Sequence, residues 1–555
     1  MVSSMALRRI SVAPFRCSLH CFSVCERKVP VLKKVFVAPD PGRLRLRAGA
    51  RAVLGIGAAV AVCGLAGHSL TAAIAGGLAA LLALFTVTDA TVRGQGVTTA
   101  LLPVAGLPVL AAATALHGAP WARDAVFLAV LGAGVYARRW GPRGHALGVF
   151  AFMTFFETQF LHAVPAQLPE LCAATLLSLA VSSAVRFGLW CYERRLPPAA
   201  APAPPSGTGL ARTTTRQAVQ AVVAGALALG AGQLLSQERW YWAVGAVWWI
   251  FVNTASRGDV LVRGFRRVAG TVLGIALGAG VAIPLHGAGA PTAVLVAACV
   301  FGIFYAAPVS YTWMMFAVTV MAGLLYGLLG VLTPGLLALR LAETGVGALG
   351  AALAVVVVLP VTTHATTDAW IRHALRRVHA CAAEAAARLA GSPDADPAPL
   401  VAELEALLGR VRLSLAPLVH PLSPLRARKQ RARRVLALLD ECAREVRGLA
   451  SVSAVSSDCA DSADPEASRD ERLVAACARV EAAVGALTSP SPAASLPSPS
   501  AVGSPSAVGS ASAVGSAPAP APAPALFPSP GGEGALAHLQ GLERALGELA
   551  VPLRA

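Results

Sequence analysis

Residues 268–286 read Val-Ala-Gly-Thr-Val-Leu-Gly-Ile-Ala-Leu-Gly-Ala-Gly-Val-Ala-Ile-Pro-Leu-His, with no ionisable side chain before the last position. A helix of about 20 such residues spans a bilayer core roughly 30 Å thick, so this stretch reads as a membrane span. Gly270, Gly274 and Gly278 recur every four residues and share one helix face, where a second helix can approach closely. Immediately before it stand Arg257, Arg263, Arg266 and Arg267, a basic cluster of the kind that stays on the cytoplasmic side.

Outward from this span the same pattern repeats. Twelve apolar windows are predicted, at 51–68, 70–88, 97–116, 122–137, 145–164, 170–192, 215–235, 240–256, 268–286, 290–308, 310–331 and 336–360. Of them, 122–137 and 240–256 are short. The whole chain of 555 residues agrees: 56% is hydrophobic and 14% charged, with mean hydropathy +0.64. A soluble globular chain carries about 25% charged residues, so a soluble enzyme is nearly excluded. The expected fold is all-α and polytopic.

Arginine placement orients it. The net charge of +17 is almost all arginine, since Lys28, Lys33, Lys34 and Lys429 are the only lysines. Arg93, Arg138, Arg139, Arg143, Arg194, Arg195, Arg212 and Arg216 join the 257–267 cluster on one side; Arg123, Arg239 and Arg340 fall on the other. Both termini are therefore expected in the cytoplasm.

The Pro-rich segment 196–211 is expected to link two six-span halves, 51–195 and 212–362. The halves echo each other: Val92-Arg93-Gly94 and Val262-Arg263-Gly264 each follow a second span, and Glu170 and Glu343 each open a sixth. Two six-span units in one orientation imply a parallel repeat about an axis along the membrane normal. A basic cytoplasmic leader is expected at 1–50, without a cleavable signal core and with Cys17, Cys21 and Cys25 spaced every four residues. Residues 363–487 read as amphipathic cytoplasmic helices, 488–530 as a disordered low-complexity linker, and 531–555 as a last amphipathic helix able to fold back. The basic run Arg426–Arg434 reads as a solvated or lipid-headgroup face, not a nucleic-acid site.

Charges inside apolar spans are the candidate functional residues, because a membrane tolerates them only for a reason. Glu157 lies in the aromatic run Phe155–Phe160. Arg340 precedes Glu343 by three residues, close enough on a helix to pair. Either Arg340 and Glu343 form a neutral structural pair, or Arg340 offers an anion site while Glu343 or Glu157 exchanges protons. Arg263 and Arg267 either attract anions at the inner mouth or enforce topology. Trp240, Tyr241 and Trp242 fit an interfacial aromatic belt, whereas Trp248 and Trp249 lie deeper, where packing against lipid or helices is the main reading and stacking on an aromatic substrate the alternative. No P-loop, zinc-protease motif or nucleophile elbow is present. Neither a cofactor nor a metal is expected, and transport would draw on a gradient or be passive.

The ordered pieces Tyr241-Trp242, then Arg263-x3-Arg267-x2-Gly270-Thr271-x2-Gly274, then Arg340-x2-Glu343-Thr344-x2-Gly347 resemble the fusaric acid resistance protein-like (FUSC) family, best matched over about 212–362. The resemblance implies a bacterial inner-membrane exporter of organic, often aromatic, carboxylates. Its transport path would include Arg340, Glu343, Thr344, Glu157, Arg263, Arg267 and Thr271, with Gly270, Gly274, Gly278 and Gly347 packing helices. It is more remotely similar to the aluminium-activated malate channels, in which six-span subunits pair around a pore. The first half departs from the pattern, because Val92-Arg93-Gly94-Gln95 lacks the second arginine and the Gly-Thr. Expected partners are a small organic anion and the lipid bilayer, with homo-oligomerisation left open. The rival readings are a passive anion channel and a membrane scaffold whose cytoplasmic helices bind a partner.

Overall fold

The computed structural model describes residues 43–188, 209–254, 256–285, 288–359, 363–390, 392, 394–419, 426–458, 471–488 and 530–554. Most of the expected leader, the linker at 196–208, the low-complexity tail 489–529 and His286 lie outside the described residues. Backbone contacts divide the chain into Met1–Leu44 and Arg45–Ala555, and the helical body is the second of these.

Regular structure among the described residues is helical throughout. Twelve helices make up the membrane part: α1 (Leu44–Leu65), α2 (Leu70–Thr86), α3 (Val92–Ala115), α4 (Pro120–Ala137), α5 (Gly141–Phe160), α6 (Leu168–Gly188), α7 (Thr213–Leu235), α8 (Tyr241–Phe251), α9 (Arg257–Leu285), α10 (Gly289–Ala306), α11 (Tyr311–Leu328) and α12 (Pro334–Val357). Side chains set several starts: Ser69, Thr91 and Thr333 each accept an orphan N–H of the helix they precede, and Pro334 follows Thr333 at the first helical position.

The expectation of twelve spans is cut back here. Among the described residues, eight helices are long and apolar enough to cross a membrane: α1, α3, α6, α7, α9, α10, α11 and α12. Of the other four, α4 carries Arg123 and Asp124, and α5 carries Arg143 and Glu157. α2 has 17 residues and α8 only 11. At 1.5 Å per residue α8 reaches about 17 Å, well short of a bilayer core. The window 240–256 overstates it because the chain turns at Val252, where Arg138 takes over the carbonyls. Arg138 donates to the carbonyl oxygens of Phe251 (3.1 Å) and Thr254 (2.9 Å), and Gln217 donates to Thr254 (2.9 Å).

The short helices belong inside. α2 and α8 are apolar all round and buried over nearly their whole surface, as is most of α5 and α11. The long spans around them are buried over only 28% to 44% of their apolar windows. In the first half α2 packs on α6, α3 on α5, α4 on α5 and α3 on α6. The second half repeats these pairs as α8 on α12, α9 on α11, α10 on α11 and α9 on α12.

After α12, five helices form a bundle with its own core: α13 (Thr363–Leu389), α14 (Ala398–Val419), α15 (Arg426–Asp458), α16 (Glu471–Thr488) and α17 (Pro530–Arg554). The last helix packs against α15 and α16. Leu539, Leu542, Leu546 and Leu549 supply its buried stripe, while ion pairs such as Arg479–Glu543 (2.9 Å) and Arg377–Glu403 (3.0 Å) join helices at the rim. Each exposed pair adds at most about 1 kcal/mol, so the apolar stripe holds the bundle.

Cys381 and Cys442 lie in that core, fully buried. Burial pushes their thiols up to about 11 and about 12. At pH 8 almost none of either is thiolate, the nucleophilic form. N-ethylmaleimide at pH 8, followed by mass mapping, should therefore leave both unlabelled until the bundle is unfolded. Rapid labelling of the native protein would show an open core.

Candidate functional site

The site grows from one stripe on α5. Phe152, Phe156 and Phe160 recur every four residues and face the second half. Phe152 stacks on Trp248 with ring centres 4.2 Å apart, Phe156 meets Trp242 edge-on at 4.9 Å, and Phe160 leans on Tyr326 at 5.1 Å. Gly245 makes the approach possible, because a Cβ there would lie 2.6 Å from the Phe156 ring. Trp242 in turn donates its indole N–H to the Tyr326 hydroxyl (2.5 Å). A seam of aromatic rings thus joins the two halves.

Beside this seam lies a cavity of about 810 Å³, its open mouth included. Its walls come from the four buried helices α2, α5, α8 and α11, with Arg267 of α9 and Ile303 of α10. Phe85, Phe156, Phe160, Trp242 and Trp249 supply aromatic faces, and Met153, Met314 and Met321 supply soft, adaptable ones. Among its lining residues the charged side chains are Arg267 and Glu157. Arg267 is 5% exposed; one terminal nitrogen reaches the Met315 sulfur (2.8 Å) and its Nε has no hydrogen-bond partner. Glu157 is 7% exposed, and its Oε1 also lacks a partner. Unpartnered buried charge is costly, so its presence on a cavity wall marks where a ligand can restore the missing bonds.

The other sequence-predicted residues are placed differently. Arg340 is buried behind the cavity wall with its guanidinium 3.9 Å above the Trp242 ring, so it acts on the cavity through that indole. Glu343 does not open its helix: α12 starts at Pro334, and Glu343 sits more than two turns in, 1% exposed. The Arg340–Glu343 pair is not formed. Both Glu343 oxygens are without hydrogen-bond partners, and no ion pair joins the two residues, since Arg340 is turned onto the indole. Arg263 is held away from the cavity, donating to the Trp249 carbonyl (3.1 Å) and lying 3.9 Å over the Tyr311 ring. Thr344 donates to the Arg340 carbonyl (2.9 Å), and Thr271 is buried on the packed face of α9; neither lines the cavity.

The glycines sit at close helix contacts. A Cβ on Gly270 would lie 2.6 Å from the Thr312 carbonyl oxygen, and one on Gly274 2.6 Å from Thr319 Cβ, so α9 and α11 touch backbone to backbone. Gly278 is looser, 3.8 Å from Val320 Cα, and Gly347 seats α12 against Ala243 and Ala246 of α8. Glu170 is a structural tie: it accepts the Ser69 backbone N–H (2.6 Å) and thereby holds the starts of α2 and α6 together. Among the described residues no group of three or more His, Cys, Asp or Glu is placed to hold a metal.

Sequence reading misses the Phe152–Phe156–Phe160 stripe, although its spacing is visible, and the soft wall of Met314 and Met321. It also misses that Trp242, assigned to the membrane interface, is a wall of the cavity.

The described helices thus form an apolar bundle, eight of them long enough to cross a membrane, that holds an aromatic cavity with buried charge on its wall. Residues 227–365, from within α7 to the start of α13, match the family model described as fusaric acid resistance protein-like, so this stretch of the chain is similar to that family. That family is one of transporters, not enzymes. No curated protein and no solved structure matches the chain.

Proposed function

We propose that the protein exports small amphipathic carboxylates, aromatic acids foremost, driven by an ion gradient. The observation that carries this reading is the pairing of Arg267, with its unpartnered Nε, with aromatic and methionine walls in one cavity between the halves. A guanidinium offers a planar fork that matches a carboxylate, and the rings accept the apolar body. Glu157, on the same wall, carries the coupling charge. Arg340 orients Trp242 and sets the field behind it.

In this reading all twelve helices cross or enter the membrane as two parallel repeats, with both termini in the cytoplasm of a bacterial cell. Support comes from the four helix pairings that recur in the two halves, and from the same two positions of each half, second and fifth, surrounding the cavity.

The test uses the full chain in nanodiscs and in proteoliposomes, with benzoate as the probe. Saturable benzoate binding, and benzoate flux that stops when ion gradients are collapsed, is the expected result. Absence of saturable binding overturns the substrate class. Benzoate currents in a voltage-clamped bilayer without any ion gradient other than benzoate's own would make the protein a channel and overturn the coupled mechanism.

A further inference from the structure

Glu157 lines two cavities. One is the large cavity between the halves; the other is a small pocket inside the first half, enclosed by α2, α3, α5 and α6. The small one has about 10 Å³ for the centre of a water-sized particle, which is room for one. Its polar groups are Glu157, Thr154 and Thr158 from α5 and Thr175 from α6. Thr154 donates its hydroxyl proton to the Phe150 carbonyl (2.9 Å) and Thr158 donates its own to Phe155 (2.6 Å). Those two hydroxyls therefore turn lone pairs, not protons, toward the pocket. A carboxylate whose Oε1 has no donor stands beside oxygens that act as acceptors.

Acceptor oxygens lining one small pocket with a buried carboxyl suit a hard cation, although the Thr158 hydroxyl also accepts from the Gln159 amide (3.5 Å). A proton on Glu157 would satisfy a single acceptor; a sodium ion would engage the carboxylate and the threonine oxygens together. We propose that Glu157, Thr154, Thr158 and Thr175 form a site for one Na⁺, separate from the organic-anion cavity but sharing its Glu157 wall. The site rests on its own geometry and does not depend on the direction of transport.

The test is ²²Na⁺ binding to the full chain in nanodiscs at constant pH and ionic strength, beside benzoate binding to the same preparation. Wild type should bind one Na⁺ per chain, displaced by unlabelled Na⁺ but not by choline. The double variant Thr158→Val and Thr175→Val keeps side-chain shape and removes two oxygens. It should lose Na⁺ affinity at least tenfold while still binding benzoate in the absence of Na⁺. No saturable ²²Na⁺ binding by wild-type protein, with benzoate binding intact, overturns the site and leaves Glu157 a proton carrier. Unchanged Na⁺ affinity in a folded double variant also overturns it. Sodium binding without benzoate binding would instead sink the substrate assignment alone.

Discussion

Arg267→Gln should weaken benzoate binding by about 10- to 100-fold while leaving the protein abundant and inserted. A hydrogen bond to a charged group contributes about 1.5–3 kcal/mol, and each 1.4 kcal/mol is a factor of ten. Glutamine keeps a polar group of similar reach on the cavity wall but removes the positive charge and the fork. Arg267→Lys separates those two losses: charge stays, and the planar two-point contact goes, so an intermediate affinity is expected. Arg263→Gln is the control, because Arg263 is held by the Trp249 carbonyl and the Tyr311 ring and does not line the cavity. Isotope-labelled benzoate binding to the three variants decides the matter. Equal affinity in wild type and Arg267→Gln would remove Arg267 from the substrate site.

The largest effect on stability is expected at a residue that no motif marks. Arg186, on α6, is 6% exposed and donates to the carbonyl oxygens of Val87 (2.9 Å), Ala83 (2.9 Å) and Leu84 (3.1 Å). These are the end of α2, a helix that stops inside the protein; the Ala83 carbonyl also takes the Val87 N–H at 3.4 Å, and Arg186 adds its donors to the terminal carbonyls. Arg186→Ala leaves them without that donor where water is scarce, a loss of about 4 kcal/mol that belongs with the rare, severe single-site effects. Arg93→Ala, at an exposed arginine, should change stability by less than about 0.5 kcal/mol. Thermal unfolding of the two variants in the same detergent should differ by many degrees. If they unfold together, Arg186 is not what terminates α2.

In the sequence Arg186 is no more than positive charge near a membrane helix, and Arg267 belongs to an ordered motif that does not say what the side chain faces. Hydropathy locates every helix from α1 to α12, because lipid demands long apolar runs with satisfied backbones, and falls short mainly where basic first turns extend α1 and α9 beyond their apolar windows. The ordered Arg263, Arg267, Gly270 and Gly274 motif falls inside the stretch that the family model matches, since spacing along one helix survives in the sequence. Hydropathy misjudges α8, where an apolar run of tryptophans and valines looks the same facing lipid as facing other helices. It also allows Arg340 and Glu343 to pair at three residues' separation. The structure turns Arg340 onto Trp242 instead, a partner about a hundred residues away.

What the sequence determined alone is the medium, the helices and their likeness to FUSC proteins, because each follows from the composition and period of a single segment. Tertiary structure decided which charges share a space. Glu157 and Arg267 stand far apart in the chain, on different halves, and the packing of α4 on α7 and of α5 on α8 brings them to one wall. The reason is physical: a cavity is defined by what several helices leave unfilled between them, and no one helix records the shape of that gap.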